Sequence, residues 1–416
     1  MPEQPRQSLP SDRAERAAIM YAWRWAYRRS EWRRLGVRTT LSTALKRPLV
    51  ALRQARAAAR SSGGTVRDVA RSWWLRVVHG VEPRQYYALR LGAPDRWPRA
   101  YAVVRDREVT AMARALATRA GGYGRRTWPL TDKLAFAAWA CAADIPTVPT
   151  LAEIGLDALE APVAPDEHDL PDGDLFTKRV AGWGGSGARR WTRVAPGRWS
   201  CTDEHGTTGP VPEQVDAAGL VAACRAQARE TGGVVLVQRA VRNHPAMRGL
   251  VPPSSSALST VRLVTRRDVD GTVTLLLACC RMPTGSAVVD AFSHGGAAAP
   301  VDLATGRLGF ATTTALAAVG RTMDRHPDTG ADIAGTVLPD WAAAVAMVER
   351  AHVRAPHADA LPWVGWDVAL TPTGPIVVEG NVPPSAMLCQ VPSGVPLGET
   401  PIVATILAYL RQNGST

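Results

Sequence analysis

The chain has 416 residues, 46% of them hydrophobic, which is room for a sizeable core in two or three domains or in one large lobed unit. No stretch approaches the roughly 18 uninterrupted apolar residues of a spanning helix, and the charged start (Glu3, Arg6, Asp12, Arg13) lacks the apolar run of a secretory signal. The six cysteines (141, 201, 224, 279, 280 and 389) form no CxxC pair and no zinc-like spacing, so the expectation is a reducing cytoplasm, without a disulfide frame or structural zinc.

Residues 11–60 read as helices in which Ile19, Met20, Trp23 and Trp25 lie among arginines, with a break at Ser61-Ser-Gly-Gly64. Residues 1–100 hold 21 basic and 7 acidic side chains, a net +14, whereas the whole chain is +12, so the positive charge belongs to this first quarter. A basic, tryptophan-bearing helix fits an anionic partner: a leader peptide, a nucleic acid, a membrane surface or a sugar phosphate. It equally fits a solvated helix that packs its tryptophans on the main body. Helix continues through residues 66–130, with Trp73-Trp74, Tyr86-Tyr87 and a second helix near 105–120, and again from Asp132 to Ala143.

Residues 153–174 are acidic and poor in pattern and are read as a connection. Beyond them the hydrophobic period drops toward two, which marks strands. Strands are expected at 175–180, 189–194 and 234–238, with a helix at about 213–230. Residues 260–265 and 272–280 form a hairpin across Asp270-Gly271, in which Cys279-Cys280 read as small core residues. A helix at 339–353, a last hairpin around Thr371-Pro-Thr-Gly374 and a closing helix at 400–411 complete an α+β chain. The expected division is 1–100, a basic helical region; 101–245, with the lysines and a glycine loop; and 246–416, with the last hairpin.

Arginine serves almost everywhere as the basic residue; the only lysines are Lys46, Lys133 and Lys178. An ammonium is a compact point charge, which a flat guanidinium cannot replace in a narrow phosphate site. Lys133 and Lys178 are therefore candidate phosphate contacts, against the plain alternative of two survivors on a solvated surface. Four residues after Lys178 comes Gly182-Trp-Gly-Gly-Ser-Gly187, in which Gly182, Gly184, Gly185, Ser186 and Gly187 can turn backbone N–H groups around an anion. No helix follows and Gly-Lys-Ser/Thr is absent, so this is neither a P-loop nor a dinucleotide fingerprint.

In the last hairpin, Asp367 lies six residues before Thr373 and Glu379 six after it. A regular hairpin makes them cross-strand neighbours about 5 Å apart, and Asn381 falls on the same face. Two carboxylates so close repel each other unless a cation intervenes, and two carboxylates with one amide suit Mg²⁺. A solvated hairpin end is the alternative, opposed by the core-like Ile376-Val-Val378 and Val368-Ala-Leu370. Gln238, Arg239, Ala240 and Val241 end an apolar strand whose backbone could meet an adenine edge, as many strands could. Asn243, His244 and His294 are further cleft candidates.

Taken in order, Asp132-Lys133, Phe176-Thr-Lys178 with its glycine loop, Val237-Gln238, Arg262, Asp367 and Glu379-Gly-Asn381 resemble the ATP-grasp superfamily. Gln238-Arg-Ala-Val-Arg-Asn-His244, Ser259-Thr-Val-Arg262, Val289-Asp290-Ala-Phe292 and Gly365-Trp-Asp367 resemble its sugar-transfer-associated, alpha-L-glutamate-ligase-like branch over roughly residues 80–400. The resemblance implies an ATP-grasp fold, two α+β subdomains gripping ATP, behind the helical basic region. It assigns Lys133, Lys178 and residues 182–187 to the ATP phosphates and Gln238 to Val241 to adenine. Asp367, Glu379 and Asn381 would hold one or two Mg²⁺ ions, and Arg262 and Arg281 would neutralise the transferred phosphoryl group or a substrate carboxylate. The two arginines could instead only pair with Asp290 or Asp302. Asp290-Ala-Phe292 departs from the Asp-Asn-Phe of many relatives, which bears on substrate choice. The implied activity is an ATP-dependent carboxylate–amine ligase working through an acyl phosphate, forming an amide or peptide bond and releasing ADP and phosphate. The alternatives are a phosphotransferase on a small molecule or glycan and a non-enzymatic nucleotide-binding module of a glycan or envelope pathway.

Overall fold

The N-terminal helices form a layer against the rest of the chain. In this computed structural model the described residues are 13–35, 37–117, 130, 132–155, 170–180, 185–204, 214–290, 292, 295–314 and 319–412. Helices α1 (Arg13–Leu35), α2 (Val37–Ser62), α3 (Val66–Val78), α4 (Pro83–Ala88) and α5 (Asp106–Ala117) follow one another, and Gly63, at φ +66°, ends α2 where the glycine pair predicts a break. Thr65 and Asp68 cap α3 reciprocally. Trp23 and Met20 of α1 are buried against α5 and the C-terminal helix, while Trp25 and Trp32 are exposed. The reading of a helix that packs its tryptophans on the main body therefore holds for Trp23 and not for Trp25 or Trp32.

Helix α6 (Lys133–Ala142) begins at Asp132, whose carboxylate accepts from Leu134 N at 3.0 Å and Ala135 N at 3.1 Å. Strands β1 (Thr150–Ile154), β2 (Leu175–Arg179), β3 (Arg189–Ala195), β4 (Arg198–Asp203) and β5 (Val235–Arg239), with helix α7 (Ala217–Thr231) before β5, build an antiparallel sheet of order β1-β5-β2-β3-β4. Leu220, Cys224 and Ala228 of α7 close its core against Val235, Val237 and Trp191.

A second antiparallel sheet follows. Its strands are β6 (Thr260–Arg267), β7 (Val273–Met282), β8 (Ala297–Pro300), β9 (Thr312–Thr313), β10 (Trp363–Thr371) and β11 (Gly374–Asn381), in the order β11-β10-β6-β7-β8-β9. Helix α8 (Trp341–Arg354) covers one face through Ala344, Met347, Val348 and Ala351. Helices α9 (Ala386–Gln390) and α10 (Ile402–Gln412), with α5, pack on the other. Cys279 and Cys280 are 2% and 0% exposed, as core residues should be.

Four strands go unread in the sequence. β1 lies partly in the segment read as a connection. β4 is largely polar, and β8 is an alanine run of low strand propensity; both gain their hydrogen bonds from neighbours already in place. β9 is two residues long. Among the described residues no helix is long and apolar enough to cross a membrane.

Candidate active site between the two sheets

Strand β10 lies between β11 and β6, which joins the last hairpin to a strand about a hundred residues earlier. The pairing sets Asp367 opposite Glu379 on one side and opposite Arg262 on the other, and sets Gly365 opposite Asn381. The expected cross-strand pairing of Asp367 with Glu379 is thus present, for a reason different from the one the symmetric spacing gives. The turn is two residues, Pro372-Thr373, between Thr371 and Gly374. A regular ladder from that turn would place Val378 opposite Asp367. The register shifts between Asp367 and Val368, so Val378 is an extra residue in β11 and Glu379 takes the facing position.

The Asp367 carboxylate is 2% exposed and held by two guanidiniums. Arg262 donates through Nε to Asp367 Oδ1, and Arg281 donates from its terminal nitrogen to Asp367 Oδ2 at 2.9 Å. Arg281 also donates to Thr260 Oγ1, at 2.9 Å from Nε, and lies 3.4 Å from Asp290 Oδ1. Asp290 is fixed in turn by Thr260, whose backbone N–H and hydroxyl donate to Oδ2 at 2.7 and 2.6 Å. Of the two carboxylates suggested as partners for the arginines, Asp290 serves, whereas Asp302 accepts from Thr305. Gly365 makes room for Arg262: a Cβ there would stand 3.2 Å from Arg262 Cδ and 2.7 Å from Pro384 Cβ. Thr260 and Gly365 are supporting residues that no spacing in the sequence singles out.

Burial alone would raise the Asp367 carboxyl, but Arg262 and Arg281 outweigh it and hold the group well below the usual carboxylate range. Glu379 moves the opposite way. Burial and then the Asp367 charge push it up, against the pull of Lys178 and Lys133, and a hydrogen bond joins it to Asp367. Two carboxylates this close oppose each other's ionisation when no cation separates them, and Glu379 bears that effect. The Asn381 side-chain nitrogen is buried without a hydrogen-bond partner.

Lys178 approaches this group from β2 of the first sheet and Lys133 from the start of α6. Burial lowers the Lys178 ammonium to about 8; Glu379 and Asp367 act against that shift, and Lys133 adds to it. Lys133 Nζ donates to the Val180 carbonyl at 3.2 Å, just past the end of β2. Phe136 and Ala140 of the same helix are buried in the core under the second sheet, so α6 carries its lysine across from one sheet to the other.

The glycine loop is described from Gly185 onward; Gly182, Trp183 and Gly184 lie outside the described residues. Gly185 and Gly187 have φ of +78° and +75°, which glycine adopts without strain. A Cβ on Gly185 would stand 2.9 Å from Val289, so the loop rests against the residue before Asp290. Gly187 accepts through its carbonyl from Gln227 at 2.7 Å, and Ser186 Oγ accepts from Arg179 at 3.3 Å.

Gln238 is buried and spends its side-chain N–H on the Val148 carbonyl at 3.2 Å; Arg239 is exposed, and Ala240 donates its backbone N–H to Asp174 O at 2.9 Å. Val241 follows, half-buried. Asn243 and His244 secure local turns, Asn243 through Ala257 and Ser259 and His244 as a cap on Ala246; His294 is outside the described residues.

Known proteins give three results. No curated protein matches the sequence. Among solved structures, a D-alanine–D-alanine ligase from Bacillus anthracis aligns at 14% identity over 68% of this chain and 69% of its own, with a TM-score of 0.36. An L-amino acid ligase from Bacillus licheniformis aligns at 11% identity over 67% of this chain, with a TM-score of 0.31, and only 46% of that ligase is spanned. The biotin carboxylase domain of a Hydrogenobacter thermophilus 2-oxoglutarate carboxylase, in complex with MgADP, ADP and bicarbonate, aligns at 13% identity over 86% of this chain and 67% of its own, with a TM-score of 0.35. The model of the sugar-transfer associated ATP-grasp family matches residues 127–401, which include both sheets and every residue of the site just described. The chain belongs to the sugar-transfer associated ATP-grasp family.

Proposed function

We propose that the chain binds Mg-ATP between its two sheets and uses it to join a carboxylate to an amine. The observation that carries this reading is the placement of two lysines, Lys133 and Lys178, near enough to the buried carboxylates Asp367 and Glu379 for their charges to act on one another. Cations on one side and carboxylates on the other are what a triphosphate with its metal needs.

The donor set fits magnesium. Asp367 and Glu379 are buried carboxylates whose mutual repulsion a cation would relieve, and the buried Asn381 side-chain nitrogen lacks a partner. Turning that amide about its last bond presents an oxygen in place of the nitrogen. Among the described residues no group of three His, Cys, Asp or Glu side chains could hold a metal alone. Magnesium characteristically takes one or two protein carboxylates and completes its shell with phosphate oxygens and water. Asp367, Glu379 and Asn381 would hold it, and its role would be to neutralise phosphate charge.

Lys133 and Lys178 set the phosphates, residues 182–187 cover them, and Gln238 to Val241 line the adenine end. Arg262 and Arg281 meet the transferred phosphoryl group or the substrate carboxylate. A substrate carboxylate oxygen attacks the γ-phosphorus, the bond to the ADP oxygen breaks, and an acyl phosphate forms. The amine then attacks the acyl carbon, phosphate leaves, and the amine loses a proton. No protein nucleophile is needed. Cys279, near both arginines, has its thiol pushed up to about 12 by burial and stays protonated.

The test is a mass-spectrometric screen of carboxylate and amine pairs with Mg-ATP. The reading expects ADP, free phosphate and a product lighter by one water than its substrates. A persistent phosphorylated acceptor would make the protein a phosphotransferase, and ATP binding without turnover would leave a nucleotide-binding module.

A further inference from the structure

The two sides of helix α1 differ sharply. Met20 and Trp23, 1% and 0% exposed, fix the inner side to the body. Arg24 adds hydrogen bonds to the Tyr101 carbonyl at 2.6 Å and to His79 Nδ1 at 2.8 Å. The outer side presents Tyr21, Trp25 and Trp32 at 75%, 50% and 40% exposure. Arg28 and Arg29 stand between the two tryptophans, and Arg33 follows. With 3.6 residues per turn, Trp25, Arg28, Arg29 and Trp32 fall within about 60° of one line along a helix about 35 Å long. Glu31, the one acid in this stretch, lies on the inner side and is paired with Arg34 at 3.1 Å. The helix as a whole carries seven arginines and two glutamates.

Exposed tryptophans are large apolar groups that a free surface seldom presents next to one another. Here they are interleaved with cations, so a single face offers amphipathic rings to a membrane interface and positive charge to anionic headgroups. We infer that this face of α1 docks on an anionic lipid surface, with Trp25 and Trp32 at the headgroup level and Arg28, Arg29 and Arg33 on lipid phosphates. The attachment is peripheral and needs no spanning segment. A single-stranded nucleic acid would also meet the arginines, but it needs open ring faces for its bases. Trp25 and Trp32 pack edge to face, with centroids 5.9 Å apart and planes at 84°, so they form one apolar block.

The test is co-sedimentation of the full chain with vesicles of phosphatidylcholine alone and of phosphatidylcholine mixed with phosphatidylglycerol. Binding is expected to the anionic vesicles only, and to weaken with added salt. Trp25→Ala with Trp32→Ala should lower the partition coefficient roughly tenfold or more. Replacing Arg28, Arg29 and Arg33 by Gln should lower it roughly fivefold for each charge removed. Parental melting temperatures and ATP binding in both variants would show that the fold is kept. If the tryptophan variant is not stably folded, the arginine variant and the salt series decide. Equal binding to neutral vesicles, undiminished binding by the arginine variant, or capture of a single-stranded oligonucleotide with no vesicle binding would each overturn the inference.

Discussion

Asp367 and Glu379 are partners across β10 and β11 because Val378 is an extra residue in β11. Without the shift, the two-residue turn at Pro372-Thr373 would set Val378 against Asp367. Bulges recur beside active sites because they re-aim one side chain without breaking the sheet. Here the result is a buried carboxylate pair, with Arg262 and Arg281 on Asp367 and the Lys178 charge acting on Glu379.

Glu379→Gln tests the metal assignment. The variant keeps the side-chain volume and removes the like charge that pushes against Asp367, so thermal stability should be unchanged or slightly higher. Calorimetry with and without magnesium should show that the magnesium-dependent part of ATP binding is lost. Turnover should fall on the order of a hundredfold or more, the scale of losing metal-ion charge stabilisation. Normal ADP release would remove Glu379 from the metal site.

Lys178→Arg keeps the charge and changes its shape. Lys178 stands half-buried on the central part of the first sheet, beside Lys133 and facing Glu379. A guanidinium is wide and planar, so it would crowd Lys133 and miss the single phosphate oxygen an ammonium meets. The KM for ATP should rise on the order of tenfold or more, with the fold intact by circular dichroism. Parental kinetics would end the argument from lysine scarcity.

The sequence makes some of this site visible and hides the rest. Lys133 and Lys178 stand out because arginine replaces lysine nearly everywhere else. The acid pair stands out by its symmetric spacing about residue 373, yet the turn centre lies half a residue earlier and the bulge makes up the difference. No local pattern announces that bulge. The arginine cage is hidden for another reason. Arg262 meets Asp367 only because β10 inserts beside β6, a pairing of strands distant in sequence. Arg281 and Asp290 are joined through Thr260, and the space Arg262 occupies depends on the missing side chain of Gly365. Strand β8 shows the same limit at the level of fold, since three alanines become a strand only between β7 and β9.

Gly185→Ala probes the contact between the glycine loop and the second sheet's side of the site. The residue has φ +78°, and its new Cβ would lie 2.9 Å from Val289. The backbone cost alone is about 1 kcal/mol, and the clash should lift the loop from its seat beside Asp290. ATP should bind more weakly, with a smaller loss of stability in urea than of affinity. Val289→Ala removes the two γ-carbons, at 2.9 and 3.0 Å, and leaves the Cβ at 3.0 Å. The double variant should therefore recover part of the affinity, and the unrecovered part combines the φ penalty with the remaining Cβ contact. No recovery at all would mean that the loop does not close against Val289.

The last prediction concerns acid stability, which His352 should limit. The ring is 0% exposed under β10. Its Nε2 lies 2.9 Å from the Leu361 carbonyl, which only accepts, so Nε2 carries the proton. Nδ1 then accepts from the Thr265 hydroxyl at 2.8 Å, and Thr265 accepts from Trp366 Nε1 at 2.8 Å. Burial lowers the imidazole to about 4, the Leu361 hydrogen bond opposes this, and Arg267 adds to it. A base whose folded value lies below its unfolded one, near 6.5, stabilises the fold fully above that unfolded value. The contribution is lost as pH falls from about 6.5 to about 4, because only the unfolded chain takes up the proton, and it amounts to about 3 kcal/mol. Urea unfolding measured across this window should show the loss. His352→Leu leaves Thr265 and Leu361 short of a partner and lowers stability at pH 7, but its stability should fall less steeply with acid, by nearly one proton. His79 and His326, also lowered by burial, remain in the variant and supply the residual slope. An unchanged slope would show that the buried imidazole is not the group that the acid protonates.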